Sequence, residues 1–175
     1  EFLSMMETSS GPLGSGISQA IGMALADRMD NGKSSGKFFY CITGDGELDE
    51  GQNWEAIMLA AKEKLNNLIV IADRNYIQID GSTEIVMPMG DILAKFKEFG
   101  WNGETIDGHD FRNINHAIYN AINNKERPYV IVAKTIPCKG IKEWEGNYKW
   151  HGKTPNKEEY IMAIKELEES GGLIK

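Results

Sequence analysis

Residues 44–81 read GDGELDEGQNWEAIMLAAKEKLNNLIVIADRNYIQIDG, and this stretch decides the fold. The apolar run Phe38 to Ile42 leads into Gly44-Asp45-Gly46, and a second apolar run, Leu68 to Ala72, leads into Asn75. A helical pattern lies between them, with Trp54, Ile57, Met58, Ala61 and Leu65 on one face and Asn66-Asn67 as its stop. The order is strand, acidic glycine turn, helix, strand, polar turn. Such a unit brings the Asp45 carboxylate and the Asn75 carboxamide to the carboxyl ends of two strands, where open parallel sheets bind ligands. Oxygen donors of that kind suit a hard divalent cation that also holds phosphate oxygens. Gly44 and Gly46 let main-chain N–H groups come close to an anion.

Outward from this unit the pattern repeats. Ile17, Ile21, Ala24 and Leu25 recur at helical spacing after the polar entry Thr8-Ser9-Ser10, and the turn formers of residues 30–36 end that helix. The run Phe38 to Ile42 predicts a strand buried on both faces. Met89 to Phe99 predicts a helix closed by Gly100, and Trp101 to Asp107 a strand. Phe111, Ile114, Ile118, Ala121 and Ile122 mark another helix face. Tyr129 to Ile136 is a strand between two prolines, and Glu158 to Ser170 a last helix stopped by Gly171-Gly172. Strands alternating with helices predict an α/β fold, a mostly parallel sheet with helices on both faces.

A chain of 175 residues is one ordinary domain with room for a core. Its net charge of −7 disfavours nucleic acid as a partner, which would need a basic stripe. No run reaches membrane-spanning length, and no charged leader precedes an apolar core. Cys41 and Cys138 have no metal or redox spacing; they read as buried thiols acting as small hydrophobes, in a reducing cytoplasm. Gly32-Lys33-Ser34 imitates the end of a P-loop, but Asp27 stands where that motif needs glycine. The acidic turn after Gly44 lacks the spacing and closing glutamate of an EF-hand.

GDG followed at a fixed interval by Asn resembles the thiamine diphosphate motif. The wording GDGELDEG and DRNYIQIDG is similar to that of the transketolases, as are TSSGPLGSGISQAIGMALA (8–26) and KTIPCKGIKEWEGNYKWHG (134–152), in the right order. The resemblance implies the thiamine diphosphate-binding fold, here its diphosphate-binding domain. It implies Mg²⁺ (or Ca²⁺ in its place) on the Asp45 carboxylate, the Asn75 side-chain oxygen and the Ile77 carbonyl. It implies thiamine diphosphate contacts from Gly11, Pro12 and Leu13 on the aminopyrimidine side and from Ile79 and Ile136 beside the thiazolium ring. Gly46, Asn75 and His151 join them on the diphosphate side. His151, in KWHG, is the catalytic candidate, reaching a phosphate and the donor sugar's oxygen. Glu50 matches an acid at the family's dimer interface and is not counted as catalytic. His116 reads as structural or surface; His109, in a Gly-His-Asp turn after a strand, reads as structural, with a cofactor-side role as the alternative.

The activity implied is reversible transfer of a two-carbon ketol group from a ketose phosphate to an aldose phosphate. The family's leading segment, with its own histidines, has no counterpart in residues 1–175, and neither has the pyrimidine-binding domain with its activating glutamate. The expectation is therefore a single domain without that leading segment. It would be a fragment or the N-terminal subunit of a two-chain enzyme, working with a C-terminal subunit or domain in a homodimer or heterotetramer. Arg74, Tyr76 and the pair Pro137-Cys138 depart from the family's common pattern and leave the sugar open. The alternatives are a deoxyxylulose phosphate synthase-like or oxo-acid dehydrogenase-like component, against which the KWHG block and the DEG after GDG speak, a cofactor-holding subunit without catalysis, or an unrelated doubly wound domain.

Overall fold

The computed structural model describes residues 6–9, 11–32 and 35–171. In chain order the elements are α1 (Gly16–Asn31), β1 (Phe39–Gly44), a 3-10 turn (Gly46–Asp49), α2 (Gly51–Lys62), β2 (Leu68–Arg74), β3 (Ile77–Gln78), β4 (Gly81–Ser82), α3 (Thr83–Val86), α4 (Ile92–Glu98), β5 (Asn102–Asp107), α5 (Phe111–Asn123), β6 (Tyr129–Lys134), a second 3-10 turn (Tyr148–Trp150) and α6 (Lys157–Glu169). The main sheet runs β1-β2-β6-β5 with every neighbour parallel, and β3-β4 form a small antiparallel ribbon.

Alternation along the central strands sorts the core into two layers. Val70, Ala72, Val130 and Val132 point toward α1, α2 and α4, meeting Ile17, Ile21, Ala24, Ile57, Ala60 and Phe96. Ile69 and Ile131 point the other way, against Ala117 and Ala121 of α5. Helices thus cover both faces, as the alternation of elements requires. Trp101 anchors the larger layer: its ring meets Phe96 edge-on at 5.1 Å, and its indole N–H donates to the Ile57 carbonyl at 2.9 Å. A smaller cluster of Ile141, Trp144 and Ala163 seats α6 against the loop after β6.

The register matters for function. Gly44 lies opposite Asp73, Asp73 opposite Ala133, and Asp107 opposite Lys134. The strands therefore end level, and the loops after β1, β2, β5 and β6 leave along one edge.

Several sequence expectations need correction. β1 is an edge strand, and one side of it is open: Ile42 is 74% exposed and Tyr40 is exposed too, because α5 packs chiefly over β5 and β6 and extends to β2 at Ile69. The first helix starts at Gly16, since the turn at 12–15 intervenes after the polar entry; Ser10 lies outside the described residues, as do Lys33 and Ser34 of the following turn and Gly172 at the end. A 3-10 turn, not the helix itself, follows Gly44-Asp45-Gly46. The expected helix over 89–99 is the shorter α4, because the Asp91 side chain caps it by accepting from Ala94 N–H at 2.9 Å. β6 stops at Lys134. Cys41 is buried, and burial followed by the Glu47 charge pushes its thiol up to about 11. Cys138, by contrast, is half-buried in a left-handed turn at φ 57.

Gly103 in β5 shows how closely the strands are set. A Cβ there would lie 2.3 Å from the Val130 carbonyl oxygen. Gly103→Ala is therefore expected to push β5 off β6 and cost roughly 2–3 kcal/mol, read as a lower midpoint in urea unfolding; an unchanged midpoint contradicts it.

Candidate functional site

Three loops from the level strand ends and one ahead of α1 build the site. The first follows β1. Asp45 is 1% exposed, and its carboxylate is held from three sides. Oδ1 accepts from Gly46 N–H at 2.8 Å; Oδ2 accepts from Tyr76 N–H at 2.8 Å and from Arg74 Nη1 at 2.9 Å. The contact to Tyr76 matters most, because Tyr76 sits between Asn75 and Ile77. It draws the loop after β2 onto the glycine turn.

In that second loop Asn75 Oδ1 accepts from Ile77 N–H at 3.0 Å, and Asn75 Nδ2 donates to Asp73 Oδ2 at 2.9 Å. Tyr76 adopts φ 65, a left-handed conformation costly for a bulky residue, and its ring packs 4.1 Å from the Arg74 guanidinium carbon. Arg74 is buried. It donates to Thr83 Oγ1 at 2.9 Å and to Glu84 as well as to Asp45. Burial acts to lower its pKa, but the hydrogen bonds it donates to Glu84 and Asp45, with their negative charges, outweigh it, so the guanidinium is held above its ordinary value.

The third loop, Gly11-Pro12-Leu13-Gly14, is hooked to the first. Gly14 N–H donates to Glu47 Oε1 at 2.9 Å, and Gln52 Nε2 donates to the Leu13 carbonyl at 2.9 Å. Gly14 has φ 84, and a Cβ on it would lie 2.6 Å from Glu50 Cβ, so both conformation and space require glycine. The other Glu47 oxygen accepts from Thr43 Oγ1 at 3.0 Å and Gly44 N–H at 3.2 Å. One carboxylate thus joins the two glycine turns.

The fourth loop follows β6. Thr135 Oγ1 donates to Asp73, and Ile136 N–H donates to His109 Nε2 at 2.7 Å. Between the second and fourth loops lies a cleft of about 310 Å³, lined among others by Asn75, Ile77, Ile136 and Tyr148. Leu13, Ile79 and Ile136 are exposed apolar side chains along this edge.

The structure therefore brings Asp45, Gly46, Asn75 and Ile77 into one hydrogen-bonded unit, ties Gly11-Pro12-Leu13 to it through Gly14, and sets Ile136 beside it across the cleft. His151 stands apart. It is exposed at the end of the second 3-10 turn, where its N–H donates to the Tyr148 carbonyl at 2.9 Å, and Tyr148 rather than His151 lines the cleft. Trp150 stacks on Trp144 at 3.8 Å, which fixes this loop on the α6 side. Glu50 caps α2 without a side-chain bond.

The donor set fits a hard cation. Asp45 Oδ1 and Asn75 Oδ1 each accept a single hydrogen bond, which leaves each a lone pair for a cation. Among the described residues no group of three or more His, Cys, Asp or Glu side chains is placed to hold a metal, so a cation here needs amide, main-chain or ligand oxygens. Beside Gly46 the buried Gln78 Oε1 has no partner, and it would lie 2.9 Å from a Cβ on that glycine.

Sequence reasoning passed over four residues that shape this site. Glu47 read as a turn acid, Asp73 had no role beyond the strand that ends at Ala72, His109 read first as structural, and Arg74 as a departure from pattern. Their contacts span 33, 62, 27 and 29 positions, and no local spacing announces bonds of that range.

Residues 2–169 match the family described as transketolase, thiamine diphosphate binding domain. The 6-deoxy-6-sulfo-D-fructose transketolase subunit of Clostridium sp. (strain MSTE9) is 39% identical over 95% of this chain and 59% of its own length. An apulose-4-phosphate transketolase subunit from Actinobacillus succinogenes is 36% identical over 94% of this chain and 58% of its own. The crystal structure of transketolase from Campylobacter jejuni superposes with a TM-score of 0.85 at 36% identity, over 96% of this chain and 26% of that one. The chain thus spans less than two thirds of the length of these relatives.

Proposed function

This chain belongs to the transketolase family, as its thiamine diphosphate-binding domain, and on that premise we propose that it holds the diphosphate end of the cofactor through Mg²⁺ in a two-carbon ketol transfer between sugar phosphates or similar acidic sugars. The observation that carries this reading is the Asp45–Tyr76 N–H bond of 2.8 Å, which sets a buried carboxylate against the Asn75–Ile77 turn. Asp45, Asn75 and the Ile77 carbonyl would hold the cation, with Ca²⁺ as a substitute. Gly46 would give the diphosphate a close main-chain approach.

When bound, thiamine diphosphate supplies the carbanion chemistry that breaks and forms the carbon–carbon bond. The chain's own residues bind, orient and desolvate. Gly11, Pro12 and Leu13 would lie along the aminopyrimidine side, held there by Glu47 and Gln52. Ile79 and Ile136 would shield the thiazolium side from water. Their exposure supports this role, because bare apolar side chains at a strand edge suit a surface that a ligand or a second domain covers. His151 would donate a hydrogen bond to, or take a proton from, the donor sugar's oxygen.

The names of the relatives, which describe them as subunits, and the partial coverage support a partner, a C-terminal subunit or domain with the pyrimidine-binding fold. No helix among the described residues is long and apolar enough to cross a membrane. The cytoplasm is the compartment proposed for the assembly, on the two free cysteines without metal or redox spacing. Residues 1–175 would serve as one domain of the assembly.

The decisive experiment mixes the chain with the complementary pyrimidine-domain chain, thiamine diphosphate and Mg²⁺, and follows two-carbon transfer from a ketose phosphate to an aldose phosphate. Transfer that requires both chains is expected. Cofactor binding without transfer would leave a holding subunit, and absence of cofactor binding would overturn the reading. Within that assay His151→Ala is expected to lower kcat about a hundredfold, in the range for removing a general acid–base. Its melting temperature should stay put, because the exposed imidazole makes no hydrogen bond among the described residues. A kcat equal to the wild type's would remove His151 from the mechanism.

A further inference from the structure

Arg74 ends β2, is 5% exposed, and places a full positive charge 2.9 Å from the carboxylate assigned above to the cation. The same guanidinium meets Thr83 and Glu84 and packs on Tyr76. It is therefore fixed rather than free to swing away. With the Tyr76 N–H it takes both lone pairs of Asp45 Oδ2, so only Oδ1 has acceptor capacity left. A resident guanidinium does two things to an incoming dication. It holds the carboxylate in one orientation before the ion arrives, and it repels the ion at short range. Glu84, on the far side of the guanidinium and half in solvent, returns part of the negative charge.

We propose that the Arg74–Glu84 pair sets the divalent-cation affinity of this site, with Arg74 as a built-in counter-charge that weakens the ion's hold on Asp45 and Glu84 as the group that moderates it. This rests on the reading that Asp45 ligates the cation. The pair makes the ion, and the diphosphate bound through it, more readily exchanged than the ligands alone would allow.

The test titrates Ca²⁺ into the full-length protein at saturating thiamine diphosphate, by calorimetry and by thermal unfolding. It compares the wild type with Arg74→Gln, which keeps a neutral donor beside Asp45, with Glu84→Gln, and with Asp45→Asn. Arg74→Gln is expected to bind Ca²⁺ at least about tenfold more tightly. It should also melt lower without Ca²⁺ and gain more in melting temperature with it than the wild type does. Glu84→Gln, a change at a half-exposed position, should bind about threefold more weakly. Equal or weaker binding by Arg74→Gln overturns the proposal. Should that variant fail to fold, Glu84→Gln decides alone, and unchanged or tighter binding by it overturns the proposal. Asp45→Asn separates the two readings: if it leaves Ca²⁺ binding intact, the ligand assignment falls and the proposal with it. If it abolishes binding while Arg74→Gln changes nothing, only the proposal falls.

Discussion

Asp45→Asn is expected to weaken Mg²⁺-dependent thiamine diphosphate binding by about a hundredfold. Removing one anionic ligand from a dication costs on the order of 3 kcal/mol at the effective dielectric of a protein site, and that energy is about two powers of ten in affinity. Asparagine keeps an oxygen near the Gly46 and Tyr76 N–H groups, so the loss is one of charge more than of shape. The same substitution strips Arg74 of one of its two carboxylates. Breaking a buried pair from one side costs roughly 3–5 kcal/mol, and the remaining Glu84 contact places this case near the lower end. The variant should therefore unfold at lower urea and bind cofactor poorly even where fully folded. Equilibrium titration of the cofactor at fixed Mg²⁺, well below the unfolding transition, separates the two effects. A dissociation constant within a factor of three of the wild type's would remove Asp45 from the cation site.

Glu47→Ala is expected to have the second largest effect, and by a different route. No atom of Glu47 is assigned to cofactor or cation. Its two oxygens instead accept from Gly14 N–H, Thr43 Oγ1 and Gly44 N–H, fastening the loop of residues 11–14 to the turn after β1. Hydrogen bonds to a charged acceptor contribute roughly 1.5–3 kcal/mol each when their loss strands the donor. Gly14 and Thr43 are buried and Gly44 partly so; water that enters beside the truncated side chain recovers part of the lost bonding, so a total loss of about 3 kcal/mol is the reasoned figure. The loop at 11–14 should then exchange its amide protons faster, and cofactor affinity should fall while Ca²⁺ affinity changes little. Glu47→Gln should recover part of the stability, since an amide oxygen still accepts. If Glu47→Ala leaves both stability and amide exchange unchanged, the fastening role is wrong.

The sequence disclosed the sheet wherever a strand is buried on both sides. Leu68 to Ala72 and Tyr129 to Ala133 are continuous apolar runs because helices cover both faces of β2 and β6. The same rule misread Phe38 to Ile42, whose apolar run looks identical but borders an open side. Helix faces were legible to within a residue or two. In α2 the buried row is Asn53, Ala56, Ile57 and Ala60, so the expected Met58 points outward. In α5 small residues, Ala117 and Ala121, fill the interface, and the expected Phe111 is exposed at the start of the helix.

Within the candidate site, Asp45 and Asn75 stand out in the sequence because the glycine turn, the asparagine and the residues that follow it keep a fixed interval, which sets them apart from an ordinary capping Asp. Glu47, Asp73 and Arg74 do not, because an acid or a base near a strand end has many uses. Only the level ending of the strands brings Arg74 to Asp45 and Asp73 to Thr135.

That level ending has a consequence for how such a protein changes over generations. Packing occupies the middle of the main-sheet strands, and the candidate contacts with a ligand lie in the segments beyond and beside their ends. Replacements at positions such as 76 or 137 alter charge and shape at the rim without asking Val70, Val130 or Trp101 to repack. Change at the rim and packing in the interior are therefore separable, so a variant can differ at its ligand-facing loops while its architecture stays recognisable.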